Sequence, residues 1–511
     1  MSLKLFNRLR KGAAGADNPF ITLLDGSVLT YADLIYRSGK AANLLMRLGV
    51  SKGDRVAVQT EKSVEVIILY VACLRFGAVY LPLNSAYTAS EVTYFLEDAE
   101  PRLFVCTPER AAELEPVARA ARVEHVLHLD ADGRGSLSEA IDAAPDGFEE
   151  RALDDGDPAA ILYTSGTTGR SKGAVLTRGN IASNAESLAE LWHFSAADVL
   201  LHALPIFHTH GLFVAINTTL VAGSALLFLP RFDLELILDG LEHSTVLMGV
   251  PTFYTRLLGS AKFTRERVAH MRLFVSGSAP LSAETHREFF DRTGHAILER
   301  YGMTETNMNT SNPYEGERRP GTVGFPLPGV DLRIADPTTG APLPQGEIGS
   351  IEVKGANVFR GYWNNPEKTK AEFRDDGYFI TGDMGFVDAE GYVSIVGRSK
   401  DLVISGGYNV YPAEVEAAID ALPGVAESAI IGLPHPDLGE GVTAVVVARP
   451  SAVLDERTIV AELSRSLARY KVPRRVILTE NLPRNAMGKV QKAALREVYA
   501  GLYGAAAKTS K

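Results

Sequence analysis

The feature that most constrains this chain is the order of its apolar runs. In the N-terminal part, short and nearly unbroken apolar stretches are each followed by a segment with helical periodicity. "DRVAVQT" leads into "SVEVIILYVACLRFG", and "RLFVC" into an Ala/Glu/Arg-rich stretch. "AAILYT" leads through a hydrophilic loop into "NIASNAESLAELW", "STVLMGV" into "TFYTRLL", and "MRLFVSG" into "SAETHREFFDRTG". A strand that is apolar throughout is covered on both faces, and helices on the connections between parallel strands provide the cover. The expectation is an α/β fold on mostly parallel sheet.

The texture changes twice further on. From about Gly321, "VDLRIADPTTGAPLPQGEIGSIEVKG" reads as strands and turns, an antiparallel, barrel-like stretch. Near Gly397, "GRSKDLVISGG" is charged and glycine-bearing, a candidate hinge. Beyond it "PAEVEAAIDAL", "VAESAIIGLP", "VTAVVVA" and "TIVAELSRSLARY" suggest a small α+β unit. The expected division is a multidomain α/β protein. Residues 1–397 form a large domain whose part at about 321–397 is barrel-like, and residues 398–511 form a small one.

Composition excludes several classes. The formal net charge of −10 argues against a broad nucleic-acid or anionic-membrane surface. Cys73 and Cys106 are the only cysteines and form no C-x-x-C, which leaves no disulfide framework or thiolate zinc site and suits a reducing cytoplasm. The basic start "MSLKLFNRLRKG" lacks the apolar core of a secretory signal. Val199 to Pro230 holds no Asp, Glu, Lys or Arg, but Pro205, three histidines and two glycines interrupt it. It reads as buried strands and a packed helix, not a membrane span.

Tyr163 to Gly173, "YTSGTTGRSKG", admits two chemistries. "GRSKG" satisfies G-x-S-x-G, the nucleophile elbow of α/β-hydrolases, with Ser171 as nucleophile. An elbow needs its strand to end just before the serine, whereas this strand ends near Tyr163. The Walker pattern fails as well, because Gly173 follows the lysine. What remains is a hydroxyl- and glycine-rich loop with Arg170 and Lys172, suited to wrapping phosphate oxygens.

After the loop come "ERYGMTET", "GYFITGDMG", "GRSKDLVISGGYNVYPAEVE" and "LPRNAMGKVQK", in that order. Together these segments resemble the acyl-adenylate-forming superfamily over nearly the whole chain. "ALPIFHTHGLF", "LMGVPTFYTRLL" and "RYGMTETNMNTSNPYEGERRPGTVG" resemble its malonyl-CoA synthetase branch. The resemblance implies an AMP-forming acid–thiol ligase using ATP, Mg²⁺ and CoA, with a small C-terminal domain that moves. It implies that Thr164, Ser165, Gly166, Thr167, Thr168, Gly169, Arg170 and Lys172 hold the outer phosphates. Tyr301 would lie against adenine, Gly302 would belong to the nucleotide site, Thr304 would touch the α-phosphate, and Glu305 would hold the metal. Asp383 would accept the ribose hydroxyls with help from Arg398. Lys489 would bridge α-phosphate and substrate carboxylate, Lys400 would be the hinge, and Ser405, Gly406, Gly407 and Tyr408 would line the CoA path. Lys492 reads as an ordinary surface lysine. Acetylation of Lys489 would remove its charge, making a lysine acetyltransferase and deacetylase candidate partners. Two departures stand out: Ser171 replaces a common proline, and "RNAMGK" replaces R-T-x-x-G-K.

The acid pocket reads as polar. His208, Thr209 and His210 in "FHTHG", Ser278, and Met308 in "NMN" are its candidate lining. Arg256 in "PTFYTR" is the candidate partner for a second carboxylate, with solvent exposure as its alternative reading, and Arg287 in "THREFF" is the runner-up. A carboxylate to activate and another to pair point to a small dicarboxylate. The resemblance names malonate, with methylmalonate slower because Met308 limits the α-substituent. Rival readings are a serine hydrolase through Ser171, an enzyme loading a carrier protein, and an inactive binding protein. His208-x-His210 has no third ligand at zinc-hydrolase spacing.

Overall fold

The computed structural model describes residues 16–164, 171–450, 452–485 and 488–503. Two sheets carry the N-terminal part. In one, parallel strands Leu298–Met303, Leu273–Ser276, Val246–Gly249, Val199–His202 and Ala225–Phe228 lie in that spatial order. In the other, Arg55–Gln59 runs parallel to Val79–Pro82 and Leu103–Cys106, and Val79–Pro82 is parallel to Pro158–Thr164. The helix Val64–Phe76 explains the unbroken apolar run that precedes its glycine. Every residue from Val66 to Phe76 is buried, and Gly77 ends the helix in the left-handed region at φ 90°. Side chains of both sheets and of this helix share one apolar cluster. Truncating one of them, as in Ile68→Ala, should cost about 2–5 kcal/mol.

The uncharged stretch holds strand Val199–His202, a π-helix at His210–Ile216, helix Asn217–Ala222 and strand Ala225–Phe228. Buried strands and a packed helix were expected here, whereas the π-helix has no signal in the apolar pattern. Such bulges collect at functional sites. Among the described residues no helix is long and apolar enough to cross a membrane.

The second texture is an antiparallel sheet of Val330–Ala335, Gly349–Gly355, Phe379–Val387 and Val393–Arg398, adjacent in chain order. A short turn at Ser399–Asp401 leads to the α+β part. There the paired strands Val425–His435 and Gly439–Ala448 carry helices Pro412–Asp420, Glu456–Ser466 and Lys492–Tyr499. This part packs its own apolar clusters around Val415, Ile430 and Val446, and around Ile431 and Leu495.

Candidate active site

The hydroxyl-rich loop joins two antiparallel strands. Pro158–Thr164 pairs with Lys172–Thr177, setting Tyr163 opposite Gly173 and Thr164 opposite Lys172. A strand follows Ser171 where an elbow requires a helix, so the hydrolase geometry is excluded. Ser165, Gly166, Thr167, Thr168, Gly169 and Arg170 lie outside the described residues. The return strand is tightly fitted: a Cβ on Gly173 would stand 2.8 Å from Ile161.

At the loop's base, Thr164 Oγ1 lies 3.4 Å from Glu305, and the Tyr362 hydroxyl lies 3.1 Å from Glu305 and 2.6 Å from Glu372. Lys172 Nζ stands 3.7 Å from Glu372, which Lys368 also engages at 2.6 Å. Burial raises the Glu305 carboxyl above its usual range and lowers the Lys172 ammonium. Glu372 and Tyr362 belong to this cluster and escaped the sequence reading, since neither lies in a segment that the resemblance quotes.

A second cluster stands beside it. Tyr301 donates from its hydroxyl to Asp383 at 2.5 Å, and Arg398 Nε meets the other Asp383 oxygen at 2.6 Å. Gly302 is required by sterics, because a Cβ there would stand 1.9 Å from the Asn307 carbonyl on the paired strand. Thr304 sits half-buried in the turn joining these strands. Lys489 enters from the C-terminal part. Its side chain is solvent-accessible, yet the surrounding cleft lowers its ammonium, as does the nearby Arg398, while Asp383 pulls the other way.

The third group holds the residues expected to line the acid pocket. Ser278, held in the left-handed region at φ 71°, places Oγ 3.2 Å from His210 Nδ1. The His210 amide faces His208 Nδ1 at 3.3 Å. Burial drives His208 down to about 4, and Arg300 and Lys489 add to the effect. Thr209 and Met308 are buried. The residue that sequence reasoning missed is Arg300. It is 3% exposed, and its Nε and Nη2 have no hydrogen-bond partner among the described residues. Burial opposes its charge, but a guanidinium keeps its proton in proteins, so this is a buried cation with no ion-paired carboxylate among the described residues. Thr209 Oγ1, His210 Nε2 and both amide atoms of Asn307 are likewise buried and unbonded. Strand alternation held the missed signal: Glu299 and Arg300 are neighbours on a buried strand and therefore point to opposite faces. Glu299 instead accepts from the Leu281 amide at 3.1 Å.

The two arginines named for the second carboxylate are exposed, and the lysine read as an ordinary surface residue is not. Arg256 is exposed on its helix Pro251–Leu258, over the Phe232 ring at 5.3 Å, because its position falls on the face turned from the core. It lines a cavity of about 430 Å³, together with Lys62, Phe207, Arg231 and Arg484. Arg287 is exposed and donates to the Ala283 carbonyl of its own helix at 3.1 Å, away from the pocket. Lys492 is no free surface lysine, since it pairs with Glu416 at 2.6 Å and is mostly buried. Ser405, Gly406, Gly407 and Tyr408 form a tight hairpin with both glycines at positive φ. Tyr408 stacks on Tyr470 at 4.7 Å, and none of the four lines the cavity. Lys400 is exposed in its short turn. Among the described residues no three His, Cys, Asp or Glu side chains could jointly hold a metal.

Residues 10–363 match the AMP-binding enzyme family, and residues 414–489 match the AMP-binding enzyme C-terminal domain. The chain is 38% identical over 483 residues to a malonate–CoA ligase of Arabidopsis thaliana, covering 88% of this chain and 78% of that protein. It is 36% identical over 478 residues to a feruloyl-CoA synthase of an Amycolatopsis species, covering 92% and 94%. ATP-bound MatB from Rhodopseudomonas palustris matches with a TM-score of 0.96 at 57% identity, over 98% of this chain and 100% of that one. The apo form of MatB matches at 0.86.

Proposed function

The chain belongs to the AMP-binding enzyme family and is an AMP-forming acyl-CoA synthetase acting on ATP and CoA, and we propose that the acid it activates is malonate. Similarity alone does not decide the acid, since a malonate ligase and a feruloyl-CoA synthase are nearly equally related. The observation that carries the reading is Arg300. A buried guanidinium with two unsatisfied donors fits an anionic group on the acid. A long apolar acid would leave that charge desolvated and unpaired. A short dicarboxylate presents one carboxylate to Arg300 and the other to the nucleotide. Met308 and Thr209 bound the space at the carbon between them, so methylmalonate is a slower substrate.

Chemistry proceeds in two steps. A carboxylate oxygen of malonate attacks the α-phosphorus of ATP, and the bond to the β-phosphate oxygen breaks, giving malonyl-AMP and pyrophosphate. Anion meets anion here, so positive charge must be in place beforehand. Lys489 spans the approaching carboxylate and the α-phosphate. Lys172, Arg170 and the loop hydroxyls of Thr164, Ser165, Thr167 and Thr168 take the outer phosphates, while Asp383 and Arg398 take the ribose. Glu305 and Thr164 fit the Mg²⁺ that accompanies ATP: one buried carboxylate and a hydroxyl beside phosphates is the usual sparse magnesium set.

In the second step the CoA thiol attacks the acyl carbon and AMP leaves. The small domain, residues 398–511, rotates about Lys400 relative to residues 1–397, withdrawing Lys489 and presenting Ser405 to Tyr408. The basic cavity reaching Phe207 is the thiol's route. Withdrawal of Lys489 also removes one charge that keeps His208 neutral, leaving a better acceptor for the thiol proton. The reading is tested by pyrophosphate release with C2 to C6 mono- and dicarboxylates. Malonate should give the highest kcat/KM. A preference for a monocarboxylate of any length would end the proposal.

A further inference from the structure

The hairpin that carries Lys489 is braced by two side chains, Asn485 and Arg484. Its strands close by an isolated pairing of Arg484 with Val490, and Asn485 supports the turn. The Asn485 amide donates to the Lys489 carbonyl at 3.0 Å, and Asn485 Oδ1 accepts from the Lys489 amide at 3.0 Å. Gly488, at φ 73°, lies close against Thr252: a Cβ there would stand 3.2 Å from Oγ1. The Asn485 bonds hold the hairpin's two described sides together, and Gly488 sets it against the helix Pro251–Leu258. Val490 packs against the cluster of Ile431 and Leu495, and Arg484 ties the hairpin to the body of the small domain through polar contacts. One guanidinium nitrogen donates to the Gly488 carbonyl, next to Lys489, and another meets the Glu427 carboxylate on strand Val425–His435. Both Arg484 and Glu427 are largely shielded, with side-chain exposures of 28% and 35%.

We propose that Arg484, held by Glu427, is a positioning residue for adenylation. The planar fork of arginine can grip a backbone carbonyl and a carboxylate at once. Rotation of the small domain is then transmitted to Lys489 without slack. The inference rests on the role given above to Lys489. Arg484 also lines the basic cavity, so direct contact with CoA is the competing assignment. Glu427 is not among the residues lining that cavity, and it separates the two.

The experiment runs both half-reactions on Arg484→Ala, Arg484→Lys, Glu427→Ala and Lys489→Ala. Malonate-dependent pyrophosphate release reports the first step, and conversion of supplied malonyl-AMP plus CoA reports the second. A misplacement of about 1 Å can cost about 10²-fold, so Arg484→Ala and Glu427→Ala should each slow the first step by about 10- to 100-fold. The second step should stay within about twofold. Arg484→Lys should recover part of the rate, keeping the ion pair but not both grips. Full adenylation by Glu427→Ala, or a loss confined to the CoA step in Arg484→Ala, would overturn the clamp. If Lys489→Ala itself retained adenylation, the underlying reading would fall, and the clamp with it.

Discussion

The proposed nucleotide side and the proposed acid side of this site are built in opposite ways. On the nucleotide side the polar groups answer one another. Tyr301 and Arg398 grip Asp383, while Tyr362, Lys172 and Lys368 surround Glu372. On the proposed acid side Arg300, His210, Thr209 and Asn307 each keep buried polar atoms unbonded among the described residues. A self-satisfied cluster tolerates variation in its ligand. Unbonded buried donors do not, because an acid that fails to meet them leaves their desolvation uncompensated. On the reading proposed above, discrimination is concentrated where the protein is least satisfied by itself.

The largest expected effect tests the nucleotide side. Lys489→Ala should reduce malonate-dependent pyrophosphate release by about 10²-fold or more, while malonyl-AMP and CoA still react at near the normal rate. Equal losses in both assays would mean that Lys489 serves the fold or CoA.

Arg300→Met tests the acid side. Loss of a buried charge-assisted pair should cost about 2–5 kcal/mol in kcat/KM for malonate, with KM for ATP unchanged and short monocarboxylates gaining in relative rate. Arg256→Ala is the control, and malonate kinetics should barely respond to it. The reverse result would restore Arg256 as the acid reader.

Pocket size should matter less. Met308→Ala or Thr209→Gly should shift preference toward ethylmalonate by about 1–3 kcal/mol, read as a ratio of kcat/KM values. A parallel fall for both acids would place these side chains outside the pocket.

The smallest effect is on stability. His208 falls from its ordinary 6.5 to about 4 in the folded chain. The folded form thus binds fewer protons, and stability is full above 6.5 and declines as pH falls toward 4. Between pH 7 and 5.5 this group alone should account for about 1 kcal/mol. His208→Asn should flatten the melting temperature over that range, and an unchanged slope would show that the imidazole is not held neutral.

The fold was legible where hydrophobic pattern dictates it. Strands such as "RLFVC" and the helix "SVEVIILYVACLRFG" follow from apolar runs, and the later texture change follows from turn residues. The nucleotide side was legible because its groups stand in contiguous motifs, so that Asp383 and Lys489 could be picked from "TGD" and "GK". The acid side was less so. His208, Thr209, Ser278 and Met308 could be named from their segments, whereas Arg256 was named for the second carboxylate with solvent exposure as its alternative. Exposure of Arg256 depends on which helix face meets the core, and local composition does not fix that. Arg300 was hidden inside "ERYGMTET", where an adjacent glutamate looks like a partner although the strand points the two apart. Glu372 joins the site only through tertiary pairing with Lys172 and Tyr362. The π-helix is a departure from periodicity and so leaves no periodic trace.

Gly277 bears on how such a pocket could be retooled. A Cβ there would stand 2.3 Å from the Arg300 guanidinium carbon, so the arginine occupies volume that the glycine leaves open. The two positions amount to one shared allotment of space. Gly277→Ala alone should displace the guanidinium and impair malonate use. Arg300→Met alone should leave a hollow. Made together, the changes should compensate sterically and yield an apolar pocket for a short monocarboxylic acid. A lineage drifting between acid classes would then meet a valley at either single change, and the two substitutions would travel as a pair.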